Sequence, residues 1–209
     1  MTAFESKICV GEKYKFGSYK QNINEENGGE EIEWIVLEKD GSSALLLADK
    51  ALDVLPYNTD LTDVTWEICT LRKWLNIDFL NSAFTAEERQ RILTTELPAD
   101  KNPNFISEQG NVTKDKIFLL SIADVNKYFS SNAERMCVPT AYTRKAGAYI
   151  DAYSPKNGET TCWWWLRSIG FNQQTASAVG IGGAAGYLGD PVNYMRNAVR
   201  PALRITVNP

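Results

Sequence analysis

The 209-residue chain is of a size that one hydrophobic core can fill, and its 44% apolar and 11% aromatic content, with six Trp and nine Tyr, argues against intrinsic disorder. Its net charge of −4, from 22 basic and 26 acidic residues with no stripe of Lys or Arg, argues against a nucleic-acid partner. The absence of histidine removes the commonest general base, the usual Ser and Cys triads and histidine-ligated metals, and the sequence implies no cofactor.

The opening stretch, MTAFESKICVGEKY, lacks a basic region followed by an apolar one, and no segment approaches the roughly 20 apolar residues of a membrane span. No secretion address is expected in the chain as given, a removed leader staying open. Its location stays open too, between the cytoplasm and a phage or cell surface reached by another route. Lys13 to Tyr19 alternates and is rich in aromatics, which predicts a strand ending near Gly17. The acidic, Gly-rich stretch from Asn22 to Glu30 reads as an exposed loop. Glu31 to Leu37 and Ser43 to Ala48 flank the turn signal Lys39-Asp40-Gly41-Ser42, the pattern of a hairpin.

From Thr65 the spacing becomes helical, with Thr65 as N-cap and Trp66, Cys69, Leu71, Trp74 and Leu75 on one buried face. Thr85 and Glu88 form a capping box ahead of a second helix, and Ser121 and Asp124 repeat that spacing after a strand predicted over Lys116 to Leu120. Between them, Pro98 to Lys114 is polar, contains Asn102-Pro103-Asn104 and Gly110-Asn111, and reads as a surface loop free to move. The last part differs in composition: TCWWWLRS (Thr161 to Ser168) precedes a stretch rich in Gly, Ala, Asn, Gln and Tyr, and AVRPALRI (Ala198 to Ile205) closes it.

The four cysteines, Cys9, Cys69, Cys137 and Cys162, form no C-x-x-C pair and read as free, partly buried thiols; a Cys137 to Cys162 disulfide stays open, with the missing export signal against it. Glu87 and Glu88, like Glu25 and Glu26, are adjacent rather than convergent, which gives paired acid/base catalysis no support. Among Trp163, Trp164 and Trp165, strand alternation puts the first and third on one face, and core packing is expected for at least two, against stacking on a sugar. Arg167 and Arg200 read as structural arginines bonded to carbonyls or core carboxylates, whereas Arg196 lies outside the aromatic motifs and reads as a partner contact.

Taken in order, FGSYKQ, IEWIVLEKDGSSALLLADKALDVLPYN, TWEICTLRKWLNIDFLNSAFTAEE, KIFLLSIADVNKYF, WWWLRS and VRPALRI resemble a bacterial domain family of unassigned function. The resemblance implies a C-type lectin-like α+β fold: a twisted antiparallel sheet with flanking helices and long irregular loops, one domain over residues 1–209 with its core strands in 161–205. Calcium-dependent lectins of that fold carry Glu-Pro-Asn or Gln-Pro-Asp with a Trp-Asn-Asp strand, and this chain has only Asp190-Pro191-Val192-Asn193. Formylglycine-generating enzymes need a close pair of redox cysteines near the C-terminus, and Cys162 stands alone in sequence after Cys137. Iron sulfoxide synthases need histidines.

Retroelement-diversified variable proteins place interchangeable residues between a fixed aromatic core and a fixed last strand, and residues 169–197 are similar to such a display segment. The expected function is therefore a non-enzymatic ligand- or receptor-binding protein with a protein or glycan ligand. Its contacts would come from Phe171, Asn172, Gln173, Tyr187, Asp190, Asn193, Tyr194 and Arg196. A formylglycine-generating type of oxidoreductase, or a structural domain of a surface or phage assembly, are the alternatives.

Overall fold

The computed structural model of the protein describes residues 8–23 and 29–207. Most of the acidic loop expected between Asn22 and Glu30, Glu25 and Glu26 included, lies outside the described residues, as do residues 1–7 of the opening stretch.

Alternating apolar residues build the first sheet. Strand β1 (Lys13–Tyr19) pairs antiparallel with β2 (Glu30–Asp40), and β2 turns through Gly41-Ser42 into β3 (Ser43–Ala48), so the expected hairpin is present. Ile32, Trp34 and Val36 of β2 are buried at a period of two, while the intervening residues are part-exposed. Strand β1 covers the segment read as a strand and ends at Tyr19, two residues past Gly17. It passes through that residue as a bulge, the register shifting between Lys15 and Ser18. Gly17 has φ +69, and a Cβ there would lie 2.5 Å from the Phe84 ring, so the close approach of the strand to that ring requires glycine.

The helical segment also starts later than expected. Thr65 to Cys69 form a turn, and helix α1 (Thr70–Trp74) begins after Cys69, whose thiol accepts from the Arg72 N–H. A π-helical turn (Leu75–Phe79) and α2 (Leu80–Ala83) continue it. Leu71, Leu75 and Phe79 are buried, but Trp74 is only half-buried, because the change of pitch rotates the buried stripe away from it. Helix α3 (Ala86–Arg91) carries the Thr85/Glu88 capping box, and α4 (Ile122–Tyr128) the Ser121/Asp124 one. Both boxes match the sequence because capping is local. Helices α5 (Asn132–Arg135) and α6 (Ala141–Lys145) are short.

The remaining strands are β4 (Asp53–Val54), β5 (Thr95–Leu97), β6 (Thr113–Asp115), β7 (Ile117–Phe118), β8 (Ile150–Lys156), β9 (Glu159–Cys162), β10 (Trp164–Ile169), β11 (Thr175–Val179), β12 (Ala185–Pro191), β13 (Ala198–Val199) and β14 (Ala202–Thr206). One five-stranded sheet runs β1-β2-β3-β14-β7 and the other β12-β11-β10-β13-β4. The pairing is antiparallel except for β10 with β13. Strands β5 and β6 pair with each other, as do β8 and β9. The fold is thus α+β, built mostly on antiparallel sheet with short helices. Among the described residues no helix is long and apolar enough to cross a membrane.

Every residue of β10 and β11 is buried, so these strands are covered on both faces. Trp164 and Trp165 are therefore both fully buried, each Nε1–H satisfied by a carbonyl: Arg135 O at 3.1 Å and Leu55 O at 2.9 Å. Trp163 precedes the strand and is half-buried. Trp164 meets Arg135 and Arg200 while Trp165 meets Leu55 and Tyr57, so the two point to different neighbours, and two-sided burial leaves neither a solvent face.

Candidate functional site

Residues 98–112 join β5 to β6, and their backbone finds its order through side chains. Asn102 is buried, and its Nδ2 donates to Tyr187 O at 2.8 Å, Ile169 O at 3.0 Å and, more weakly, Gly170 O at 3.4 Å. Ser107 Oγ donates to Gly170 O at 2.8 Å, and Gln109 Oε1 accepts from the Ile169 N–H at 2.9 Å. Asn111 Nδ2 reaches Glu67 Oε2 at 2.8 Å. The loop is thus fastened to the ends of β10 and β12, because its short amides satisfy backbone groups of the sheet. Gly170 allows this close approach: a Cβ there would lie 2.2 Å from Leu188 O.

Beneath the loop sits Arg167, buried and fixed by Asp124, by Asp100 at 3.1 Å and by Leu119 O at 3.1 Å. Tyr57 donates to Arg167 O at 2.8 Å, and burial pushes the Tyr57 hydroxyl well above its ordinary pKa. Arg167 is accordingly a structural residue, as its setting in WWWLRS suggested, and it gives the loop a charged floor paired with two carboxylates.

Among the exposed polar residues Lys101, Asn104 and Glu108, the loop and the sheet also present apolar side chains outward. Phe105 and Phe171 meet edge to face with ring centroids 6.4 Å apart, and the Phe171 N–H donates to Leu188 O at 3.0 Å. Phe171 is 46% exposed, Leu188 59%, and Ile106 stands wholly clear of the surface. A cavity of about 650 Å³ lies along the loop, lined by residues of 99–110. Tyr187 borders this face, its hydroxyl accepting from Asn126 Nδ2 at 3.3 Å. Sequence reasoning missed Phe105, Ile106 and Leu188 because nothing in their local pattern signals that a polar loop is tied to the C-terminal strands.

The eight residues predicted as contacts divide. Phe171 and Tyr187 join the face just described. Asn172 organises the turn before β11, its Oδ1 accepting from the Gln174 N–H at 3.0 Å, and Gln173 Nε2 donates to Glu108 O at 3.4 Å. Asp190 lies on β12 and accepts from the buried Asn197 Nδ2 at 2.8 Å. Asn193, Tyr194 and Arg196 belong to the connection from β12 to β13. There the Arg196 guanidinium lies over the Tyr149 ring at 5.1 Å, and Tyr149 meets Trp163 edge to face. Residues 175–179 of the expected display segment are core instead, because they form the fully buried β11.

Other ionisable groups are buried in pairs. Tyr19 donates to Asp53 at 2.6 Å, and burial raises both groups. Cys69 is pushed up to about 12 by burial, which leaves it a neutral thiol in its capping role. Cys162 does not stand alone: Cys137 opposes it across an antiparallel bridge. Among the described residues no three His, Cys, Asp or Glu side chains converge on a point that a metal ion could occupy.

Comparison with curated proteins gives no match, and comparison with solved structures gives none either. Comparison with protein families matches residues 41–207 to the family described as domain of unknown function (DUF6273). That span runs from the β2–β3 turn to the last strand and holds the 98–112 loop, the buried Arg167 and the apolar face they carry. The chain belongs to the DUF6273 family.

Proposed function

We propose that the chain is a non-enzymatic binding module whose ligand docks on the face formed by residues 98–112, Phe171, Tyr187 and Leu188. The observation that carries this reading is the contrast between that face and its support. Exposed apolar side chains, Ile106, Phe171 and Leu188, are held on backbone that Asn102, Ser107 and Gln109 have already fixed. Exposed apolar groups on a rigid base favour association, since little ordering entropy is left for binding to remove. The ligand this chemistry fits best is a protein with apolar side chains at the centre of its contact surface.

A C-type lectin-like scaffold is the finer reading of the fold. It is supported by the return of β14 to pair with β3 and by the long irregular connections at one end of the second sheet. The placement of Asn172, Gln173 and Tyr187 beside the loop agrees with a display role of the retroelement-diversified kind. The formylglycine-generating alternative finds two cysteines opposed across a bridge, but both are fully buried, and a peptide substrate has no approach to them. A structural domain of a surface or phage assembly would use the same face permanently rather than reversibly.

Panels of displayed proteins and of immobilised glycans, each probed with the parent chain and two variants, test the proposal. The first variant combines Ile106→Ser, Phe171→Ser and Leu188→Ser; the second combines Asn193→Ala, Tyr194→Ala and Arg196→Ala. The first is expected to melt near the parent yet lose at least tenfold in affinity for a protein ligand, and the second to retain most of it. Loss confined to the second variant would move the site to the Tyr149–Arg196 corner. Binding only to glycans would replace the protein ligand.

A further inference from the structure

Cys137 and Cys162 are directly opposed across an isolated antiparallel bridge, the Cys162 N–H donating to Cys137 O at 2.9 Å. Residues that face each other with such bonds have Cα atoms about 5.5 Å apart, inside the range a disulfide spans. Both are free thiols with no exposed surface, and the Cys137 thiol makes long hydrogen bonds, to Val138 O at 3.7 Å and Asp49 O at 3.9 Å.

Their surroundings are not those of an inert core. Arg200, itself fully buried, donates to Ala48 O at 2.9 Å, Arg135 O at 3.3 Å and Asp49 O at 3.4 Å, and it packs on the Trp164 ring at 4.9 Å. Among the described residues it makes no ion pair with a carboxylate. Lys156 adds a second positive charge nearby, its Nζ donating to Met136 O at 2.8 Å. A buried guanidinium without a counter-ion is costly, and a thiolate beside it would offset that cost. Burial pushes the Cys137 thiol up, but the contact with Cys162 and the charges of Arg200 and Lys156 outweigh it, and the net shift is downward. Burial and the same partner drive Cys162 well above its ordinary value. The two sulfurs differ in their neighbours: the Lys156 ammonium is held at Met136 O, the residue before Cys137, which makes Cys137 the sulfur placed to attack and Cys162 the one to resolve. A cavity of about 710 Å³, lined in part by Phe129, Glu134, Met136 and Lys156, reaches the chain beside Cys137.

We propose that Cys137 and Cys162 form a redox-active dithiol that a hydroperoxide oxidises to an intramolecular disulfide. The Cys137 thiolate attacks one peroxide oxygen, the O–O bond breaks, and the departing oxygen takes a proton; with hydrogen peroxide this gives a sulfenic acid and one water. The Cys162 sulfur then attacks the Cys137 sulfur, the S–O bond breaks, and the hydroxyl leaves with the Cys162 proton as a second water. Two thiols and one peroxide become one disulfide and two waters, a two-electron oxidation. A small oxidant suits a buried pair, whereas a bulky disulfide does not.

The test treats the full chain with one equivalent of hydrogen peroxide, quenches, denatures in urea, alkylates and maps the peptides. Four alkylated cysteines are expected before treatment. Afterwards Cys9 and Cys69 should remain alkylated, and a Cys137–Cys162 linked peptide should appear that dithiothreitol removes. In the Cys162→Ser variant a dimedone adduct should accumulate on Cys137, and in Cys137→Ser none should form on Cys162. A parent chain that stays fully alkylated, or that oxidises first at Cys9 or Cys69, overturns the proposal. The parent mapping alone decides the pairing if either variant fails to fold. Equal dimedone labelling of the two variants overturns the assignment of Cys137 as the attacking sulfur.

Discussion

At the scale of single residues, what the sequence makes legible is whatever a side chain does to its own neighbours. Thr85, Glu88, Ser121 and Asp124 form their caps as spaced, because a capping box involves only four consecutive residues. Trp74 fails the same treatment. Its burial depends on a π-helical turn that no local pattern announces, and the helix start shifts because Tyr57 O takes the Leu71 N–H at 3.2 Å. Charge networks are equally illegible. Glu38 accepts from Lys127 and Tyr128 at 2.8 Å and from Arg204 at 2.7 Å, three elements meeting on one carboxylate. The hydrogen bond from Lys127, then those from Arg204 and Tyr128, hold Glu38 at about 2, below its usual 4.5. Its folded pKa is depressed, so the stability it contributes is complete above pH 4.5 and is lost as the pH falls toward 2. Urea melts of the parent and Glu38→Gln should therefore differ most at neutral pH and converge below pH 4.5. A constant difference across that window would assign the effect to packing rather than charge.

At the scale of elements, the Asp40–Ser43 hairpin and the helices α3 and α4 follow from their turn and cap signals. The Asn157-Gly158 turn between β8 and β9 carries an equally plain hairpin signal, both residues having φ above zero. Glu88 shows how one element is joined to the next. Its Oε2 accepts from the Thr85 N–H at 2.8 Å, and its Oε1 accepts from the Gly17 N–H at 3.0 Å at the β1 bulge. Thr85→Ala should cost about 1 kcal/mol, the usual worth of a cap. Glu88→Ala should cost about 1 kcal/mol more, because it also leaves the bulge amide without its acceptor. Equal losses for the two variants in urea unfolding would show that the bulge amide finds water instead.

At the scale of the whole molecule, the sequence suggested a Gly-rich C-terminal stretch set apart from the core, and the structure divides that stretch between core and surface. The 98–112 loop joins the surface part through Asn102, a buried amide bonded to backbone carbonyls. Such bonds follow from no sequence pattern, since any residue offers the same carbonyl. Asn102→Ala should leave those carbonyls unpaired and cost about 1–3 kcal/mol. Hydrogen exchange should then quicken across residues 101–110 while β10 and β11 stay protected. Uniform acceleration through both sheets would mean that the loop and the core unfold together.

The order of strands sets a timetable for synthesis. Strand β13 lies between β10 and β4, and β14 lies between β3 and β7, so residues 198–206 fill a gap in each sheet. Until those nine residues leave the ribosome, β3 and β10 each expose an unpaired edge, and β4 and β7 have no strand to pair with. A nascent chain therefore waits for residues 198–206 before either sheet can close, with its most apolar strands uncovered. Each closure also joins residues far apart in sequence, which makes the last step of folding slow. The nascent chain is thus most at risk of aggregation just before residues 198–206 emerge.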